Sequence, residues 1–356
     1  MCVARLRTQV RRGWKASATG IVPIALVLLL VACGGGGDDG SGAPDPSNGL
    51  ATATATVEST SREAMCDATH RVAGTVSSPA LVEISGLAAS RSNDDVLWAH
   101  NDSGDTARVF AMDMSGGHVE SFELAGARAF DWEAMAVGPG PQEGASYLYL
   151  GDIGDNQSVR QDIVVYRALE PIMTGDGSAP VGANITEFDT LTLVYPDGPH
   201  DAETLLVDPR GSGIFIVTKE LAGGPSLVFR APADAGTGGV TTLEQVAEID
   251  FPSFVSSVEV ADDAPPLVLG VPNLPTGGDV SPDGGLVIIR TYGSAWVWSR
   301  PQDAPLADAF DSAPCEAPSV IEQQGEAIAF DADGRGYTTV SEGERPTLHH
   351  FSAEED

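Results

Sequence analysis

Five segments of this chain match one another when stacked, and internal repetition of that kind constrains a fold more tightly than any composition. The first element of each unit reads Glu83-Ile-Ser-Gly-Leu-Ala, Asp131-Trp-Glu-Ala-Met-Ala, Asp201-Ala-Glu-Thr-Leu-Leu, Leu274-Pro-Thr-Gly-Gly-Asp and Gln324-Gly-Glu-Ala-Ile-Ala. A second element follows: VLWAHND from Val96, YLYLGDI from Tyr147, IFIVTKE from Ile214, LVIIRTY from Leu286 and YTTVSEG from Tyr337. A third carries an aromatic in register, at Phe110, Tyr166, Phe229, Trp298 and Phe351, which is expected to pack between sheets. Turns such as Asp208-Pro-Arg-Gly, Ser281-Pro-Asp-Gly and Asp331-Ala-Asp-Gly join first to second elements, with the chemistry of hairpins. No window sustains a 3.6-residue period with caps, so long helices are not supported.

Three strands per unit, with a fourth at residues 118–124, 190–194 or 242–249, make a four-stranded antiparallel blade. Blades repeated around an axis form a β-propeller, an all-β fold that leaves only short sheet edges. Five units are counted. Six blades is the alternative, because the gap between residues 251 and 276 has room for another pair of strands. The last unit supplies three strands, to about residue 351. Its missing outer strand is offered by residues 71–76, which would close the ring from the N-terminal side. Cys66 precedes that strand and Cys315 lies just before the last unit, so both fall near the seam.

The first 32 residues resemble an export signal. Arg5, Arg7, Arg11, Arg12 and Lys15 precede an apolar run, 21–31, too short to cross a bilayer. The run ends in Leu30-Val31-Ala32-Cys33, which resembles a bacterial lipobox. That resemblance implies cleavage before Cys33 and lipid on Cys33. Gly34 after the cysteine is similar to the outer-membrane sorting pattern of Gram-negative lipoproteins. Residues 33–65, rich in Gly, Ser, Asp and alternating Ala-Thr, read as a flexible tether reaching about 30 Å, and residues 66–356 as the propeller. An exported chain meets an oxidising compartment, so a Cys66–Cys315 disulfide is the default expectation, with two buried thiols as the alternative.

The motifs EISGLA, HNDSGD, DWEAMA, GDIGDN, DAETLLVDP, TGGDVSPDG and QGEAIAF, spread over residues 66–353, resemble secreted bacterial β-propellers of the WD-type and phytase-like esterase kind. The resemblance implies architecture first. Phytase-like and lactonase propellers show that such a fold can host hydrolysis, an analogy at the level of the fold alone.

Residue chemistry narrows the possible sites. Lys and Arg total 19 against 51 Asp and Glu, a net charge of −32, so a nucleic-acid phosphate backbone is repelled. Six histidines and four cysteines leave little material for zinc or an iron–sulfur cluster. No GxSxG or HExxH motif appears, and no GxGxxG or P-loop stands in a strand-to-helix setting. The third column of the first elements instead holds Ser85, Glu133, Glu203, Thr276 and Glu326, so three carboxylates are expected to face one level of the axis. The ends of the second strands place Asp102, Asp105, Asp152, Asp155, Glu220 and Glu342 near one rim as metal or ligand candidates, with Lys219 and Arg290 as anion-binding candidates. Hard oxygen donors in excess of histidine suit Ca²⁺. The same acids also fit a bracing role between strands, or acid–base catalysis. Trp98 and Trp132 are further candidates for stacking on a ring. The leading expectation is a tethered binding or scaffold module for an unknown small molecule or protein; the alternative is a Ca²⁺-dependent phosphoesterase or lactonase using the acidic axis.

Overall fold

The computed structural model describes residues 60–173, 184–254 and 264–353. The export segment, Cys33 and most of the tether lie outside the described residues. A short helix, α1 (Arg62–Cys66), capped by the Ser61 side chain, opens the described fold a few residues ahead of the expected boundary and leads into β1 (Thr69–Thr75).

Five sheets follow. The first blade holds β2 (Ile84–Ala89), β3 (Val96–Asn101), β4 (Arg108–Asp113) and β5 (His118–Glu123). The second holds β6 (Trp132–Pro139), β7 (Ser146–Asp152), β8 (Ile163–Leu169) and β9 (Phe188–Val194). The third takes β10 (Ala202–Val207), β11 (Ile214–Thr218) and β12 (Ser226–Ala231); β13 (Val240–Thr242) then leaves to pair parallel with β9, and β14 (Glu244–Ile249) completes the blade. The fourth holds β15 (Pro275–Val280), β16 (Leu286–Thr291), β17 (Ala295–Ser299) and β18 (Cys315–Ala317), and the fifth β19 (Gly325–Phe330), β20 (Gly336–Ser341) and β21 (Thr347–Ser352).

The inner strands β2, β6, β10, β15 and β19 pack each on the next, with β19 against β2 closing the circle. The chain is therefore a five-bladed propeller. The described part of the gap that left six blades open folds as a 3-10 turn, Phe251–Phe254, and a short helix, α2 (Pro266–Gly270), and adds no strand. β1 pairs antiparallel with β21 and is the outer strand of the fifth blade, as the sequence predicts.

A hydrophobic cluster fills each of the five interfaces between adjacent blades. Inner strands are covered on both faces, which is why they read as nearly unbroken apolar runs rather than alternating ones. The aromatic column of third strands, Phe110, Tyr166, Phe229, Trp298 and Phe351, is buried. Cys66 and Cys315 are bridged, with Cα atoms 6.2 Å apart, inside the usual range. The bridge ties the closing strand to the neighbouring blade across a sequence separation of 249, for which loop entropy allows up to about 5 kcal/mol.

Candidate axial site

In all five inner strands the pairing with the second strand slips at the same place. The slips fall between Ile84 and Gly86, Trp132 and Ala134, Ala202 and Thr204, Pro275 and Gly277, and Gly325 and Ala327. The residue left unpaired each time is the third-column one: Ser85, Glu133, Glu203, Thr276 or Glu326. A bulge bends the strand and re-aims that side chain, so a fivefold bulge places one side chain per blade at one level of the channel. All five are buried.

Their fates then divide by residue type. The Ser85 hydroxyl donates to the Glu133 carbonyl at 2.6 Å, and the Thr276 hydroxyl to the Gly325 carbonyl at 2.9 Å, each reaching the next blade. The glutamates are longer and gather with acids from neighbouring loops. Asp102, just past β3, Asp131, just before β6, and Glu133 bring three ligand oxygens within 4.8 Å of one another. Gly154 forms the wall beside them: a Cβ there would lie 2.5 Å from Glu133 Oε1 and 2.6 Å from Asp131 Oδ2, so any side chain would enter the carboxylates' space.

Glu203 lies against Lys219, whose ammonium donates to Glu203 Oε1 and, at 3.1 Å, to the Tyr292 hydroxyl. Tyr292 reaches Glu326 Oε1 at 3.4 Å, and Gln324 donates to the same oxygen at 3.0 Å. Glu203 Oε2 is buried without a hydrogen-bond partner.

Burial raises Glu133 well above the ordinary carboxylate range, and the charges of Glu203, Asp102, Glu326 and Asp131 push it further. Burial pushes Asp102 up to about 6, against the hydrogen bond from Ser103. Glu342 reaches about 9, by burial first and then by the charge of Glu326 and a hydrogen bond shared with it. Asp131 is raised by burial and by Asp201, with Arg160 opposing. Burial also raises Glu203, opposed by Lys219. Lys219 stays protonated because Glu203 and Tyr292 outweigh its desolvation.

Not every residue expected at the rim joins this cluster. Asp105 accepts from Asn101 and Arg108, bracing its own loop. Asp152 pairs with Arg160 at 2.8 Å and accepts from the backbone N–H of Phe130 and Asp131, so it positions Asp131 rather than facing the channel. The Asp155 carboxylate accepts from the Arg160 N–H, while its own N–H donates to Asp201. Glu220 accepts from Thr218 and faces His200. Arg290 is buried in the wall, paired with Glu322 at 2.9 Å and donating to the Ala327 carbonyl at 3.0 Å. It sits across from Gly277, the register position that His100 holds across from Gly86, and it braces the next blade instead of offering an anion site. Trp98 and Trp132 are fully buried, their indole N–H groups donating to Glu170 and to the Arg128 carbonyl, so neither is open to a ring.

Asp131, Tyr292 and Gln324 are site residues that the sequence reading left out. A signal for Asp131 exists. With residues two apart sharing a face of a strand, the first column of the repeat, Glu83, Asp131, Asp201, Leu274 and Gln324, is expected from the sequence to lie on the same side as the third.

No family model and no curated protein matches this chain. Among solved structures it is similar to a chain of a nidogen/laminin complex, at 14% identity over 73% of each chain with a TM-score of 0.39. It is also similar to a gluconolactonase of Xanthomonas campestris, at 12% identity over 82% of this chain and 91% of the other with a TM-score of 0.41. Both likenesses are too loose to bear on the chemistry of the mouth.

Proposed function

We propose that this chain is an exported, lipid-anchored propeller whose axial mouth binds a divalent cation and holds a ligand on it. The observation that carries this reading is the convergence of Asp102, Asp131 and Glu133 within 4.8 Å. An independent one supports it: the unpartnered, buried Glu203 Oε2, whose charge is the largest acting on Glu133. Carboxylates this close must share protons or recruit positive charge, and Lys219 neutralises only Glu203. An all-oxygen donor set suits Ca²⁺. In the purified protein, Ca²⁺ at a hundredfold excess over its Kd is expected to raise stability by about 2.7 kcal/mol. Glu133→Gln is expected to abolish the gain. A melting curve indifferent to Ca²⁺ and to chelator overturns the reading.

Anchoring rests on the Cys33 motif, and Cys33→Ala is expected to move the protein from the membrane to the soluble fraction. Persistence in the membrane fraction refutes it. A second reading, a cation-dependent hydrolase, is favoured by the contact between Glu326 and Glu342 near the triad. One of two touching carboxyls must carry a proton, and it would stand ready as a general acid. Turnover of an ester, lactone or phosphoester panel that is lost in Glu342→Gln separates catalysis from binding alone; a panel with no turnover refutes the hydrolase.

A further inference from the structure

The mouth is acidic at its centre and apolar at its edge. Phe130, Val159 and Leu221 are 67%, 68% and 64% exposed, and each stands one or two residues from a charged group of the mouth: Asp131, Arg160 and Lys219. Phe130 is not a loose surface side chain. The Arg160 guanidinium lies over its ring, 5.1 Å from the centroid, and is itself held by the Asp152 carboxylate and the carbonyls of Gly154 and Asp152. The Phe130 N–H is fixed by Asp152. A rigid aromatic surface therefore stands one residue from Asp131 and under the guanidinium whose charge acts on it.

The charges at the mouth limit the polar end of any ligand. The basic side chains that act on these acids, Lys219 and Arg160, are both already paired, with Glu203 and Asp152. Glu326, Glu342 and Glu203 surround the triad with further acid. A phosphate dianion carries twice the charge of a monocarboxylate into this acid field and is repelled the more strongly, whereas one carboxylate or carbonyl oxygen needs only the metal.

Resting on the cation reading above, we infer that the ligand is an amphiphile: a carbonyl or monocarboxylate head bound at the metal, with an apolar body lying on Phe130 and toward Leu221. Charge at the centre and greasy surface at the edge select the two ends of one molecule, and the head that this acid field tolerates is a weakly charged one.

The test uses the whole chain in Ca²⁺, with four probes that vary head and tail independently: acetate, octanoate, inorganic phosphate and octyl phosphate. Calorimetry should show octanoate binding at least about tenfold more tightly than acetate, the factor that burying two methylenes supplies. Octyl phosphate should bind more weakly than octanoate. Phe130→Ser, at an exposed position where folding is not at stake, should cut the octanoate-to-acetate ratio about fivefold. Equal affinity for acetate and octanoate, a preference for octyl phosphate, or an unchanged ratio in Phe130→Ser overturns the amphiphile while leaving Ca²⁺ binding intact. If Ca²⁺ alone leaves the melting point unmoved, the cation reading falls and this one falls with it.

Discussion

The first and fourth blades differ from the second, third and fifth at one position, and the difference separates what the bulge does from what the site does. All five inner strands bulge at the third column. Where that residue is Ser85 or Thr276, its short hydroxyl is satisfied by the next blade's backbone and goes no further. Where it is Glu133, Glu203 or Glu326, the longer side chain carries its carboxyl into the channel, and of the three only Glu203 is paired, among the described residues, with a cation, Lys219. The bulge is a device of ring assembly that every blade shares. The acid is an addition made in three of them. An identical backbone thus yields a staple or a site according to side-chain length and charge.

The largest effect expected from breaking this contrast is at Lys219. Lys219 and Glu203 are nearly inaccessible, at 10% and 6% side-chain exposure. Lys219→Met leaves Glu203 as an unpaired buried acid, and loss of one partner of a buried pair typically costs about 3–5 kcal/mol. Denaturant unfolding should show that loss, and adding Glu203→Gln should recover most of it. A fall below about 1 kcal/mol in Lys219→Met would mean that Glu203 is already protonated in the native state.

The hydroxyl blades give a smaller and opposite test. Thr276→Val removes a buried donor from the Gly325 carbonyl and should cost about 1–2 kcal/mol while leaving the Ca²⁺ shift unchanged. Ser85→Ala should behave alike in stability, though its hydroxyl also stands 3.3 Å from Glu133 Oε2 and is the less clean probe. If Thr276→Val weakens Ca²⁺ binding as Glu133→Gln is expected to, the division between staple and site collapses.

Repetition made the fold legible. Five matching elements predict five blades, and the unpaired fifth unit predicts closure by an N-terminal strand, which β1 supplies. The third column was legible for the same reason: a repeat fixes register, and register fixes facing. Arg290 was misplaced because a repeat also fixes which residues face the neighbouring blade. Its position opposite Gly277 points along the wall, and Gly325 leaves the space its guanidinium needs, since a Cβ there would lie 1.8 Å from Nη2. Asp105 and Asp155 lie on loops whose course no strand period sets, so their distance from the axis was not readable. Tyr292 and Gln324 reach the site through contacts between blades, which follow from ring geometry rather than from any local pattern.

The smallest expected effect is the pH dependence, and it bears on whether the glutamate blades carry protons when no metal is bound. Burial raises Glu342 to about 9 and holds Glu133 well above the value of about 4.3 for an unfolded glutamate. Across that interval the native state binds more protons than the unfolded chain, so stability falls as pH rises. The histidines act oppositely but lower down. His100 and His349 are held below the ordinary imidazole value, so their contribution grows only up to about pH 6.5 and is complete above it. Acids bonded into salt bridges, such as Asp105 and Asp208, lose their contribution only near or below the ordinary carboxylate range. Between pH 7 and 9 the raised carboxyls therefore dominate, and the melting point measured in chelator should fall. Thr276→Val should fall in parallel with the wild type, because it leaves the acids untouched, whereas Glu342→Gln should flatten the slope. Saturating Ca²⁺ should reverse the slope's sign, since the metal displaces protons and binds more tightly as they leave. A chelated protein whose melting point is level from pH 7 to 9 would mean that the acids of the glutamate blades are ionised and balanced without a cation.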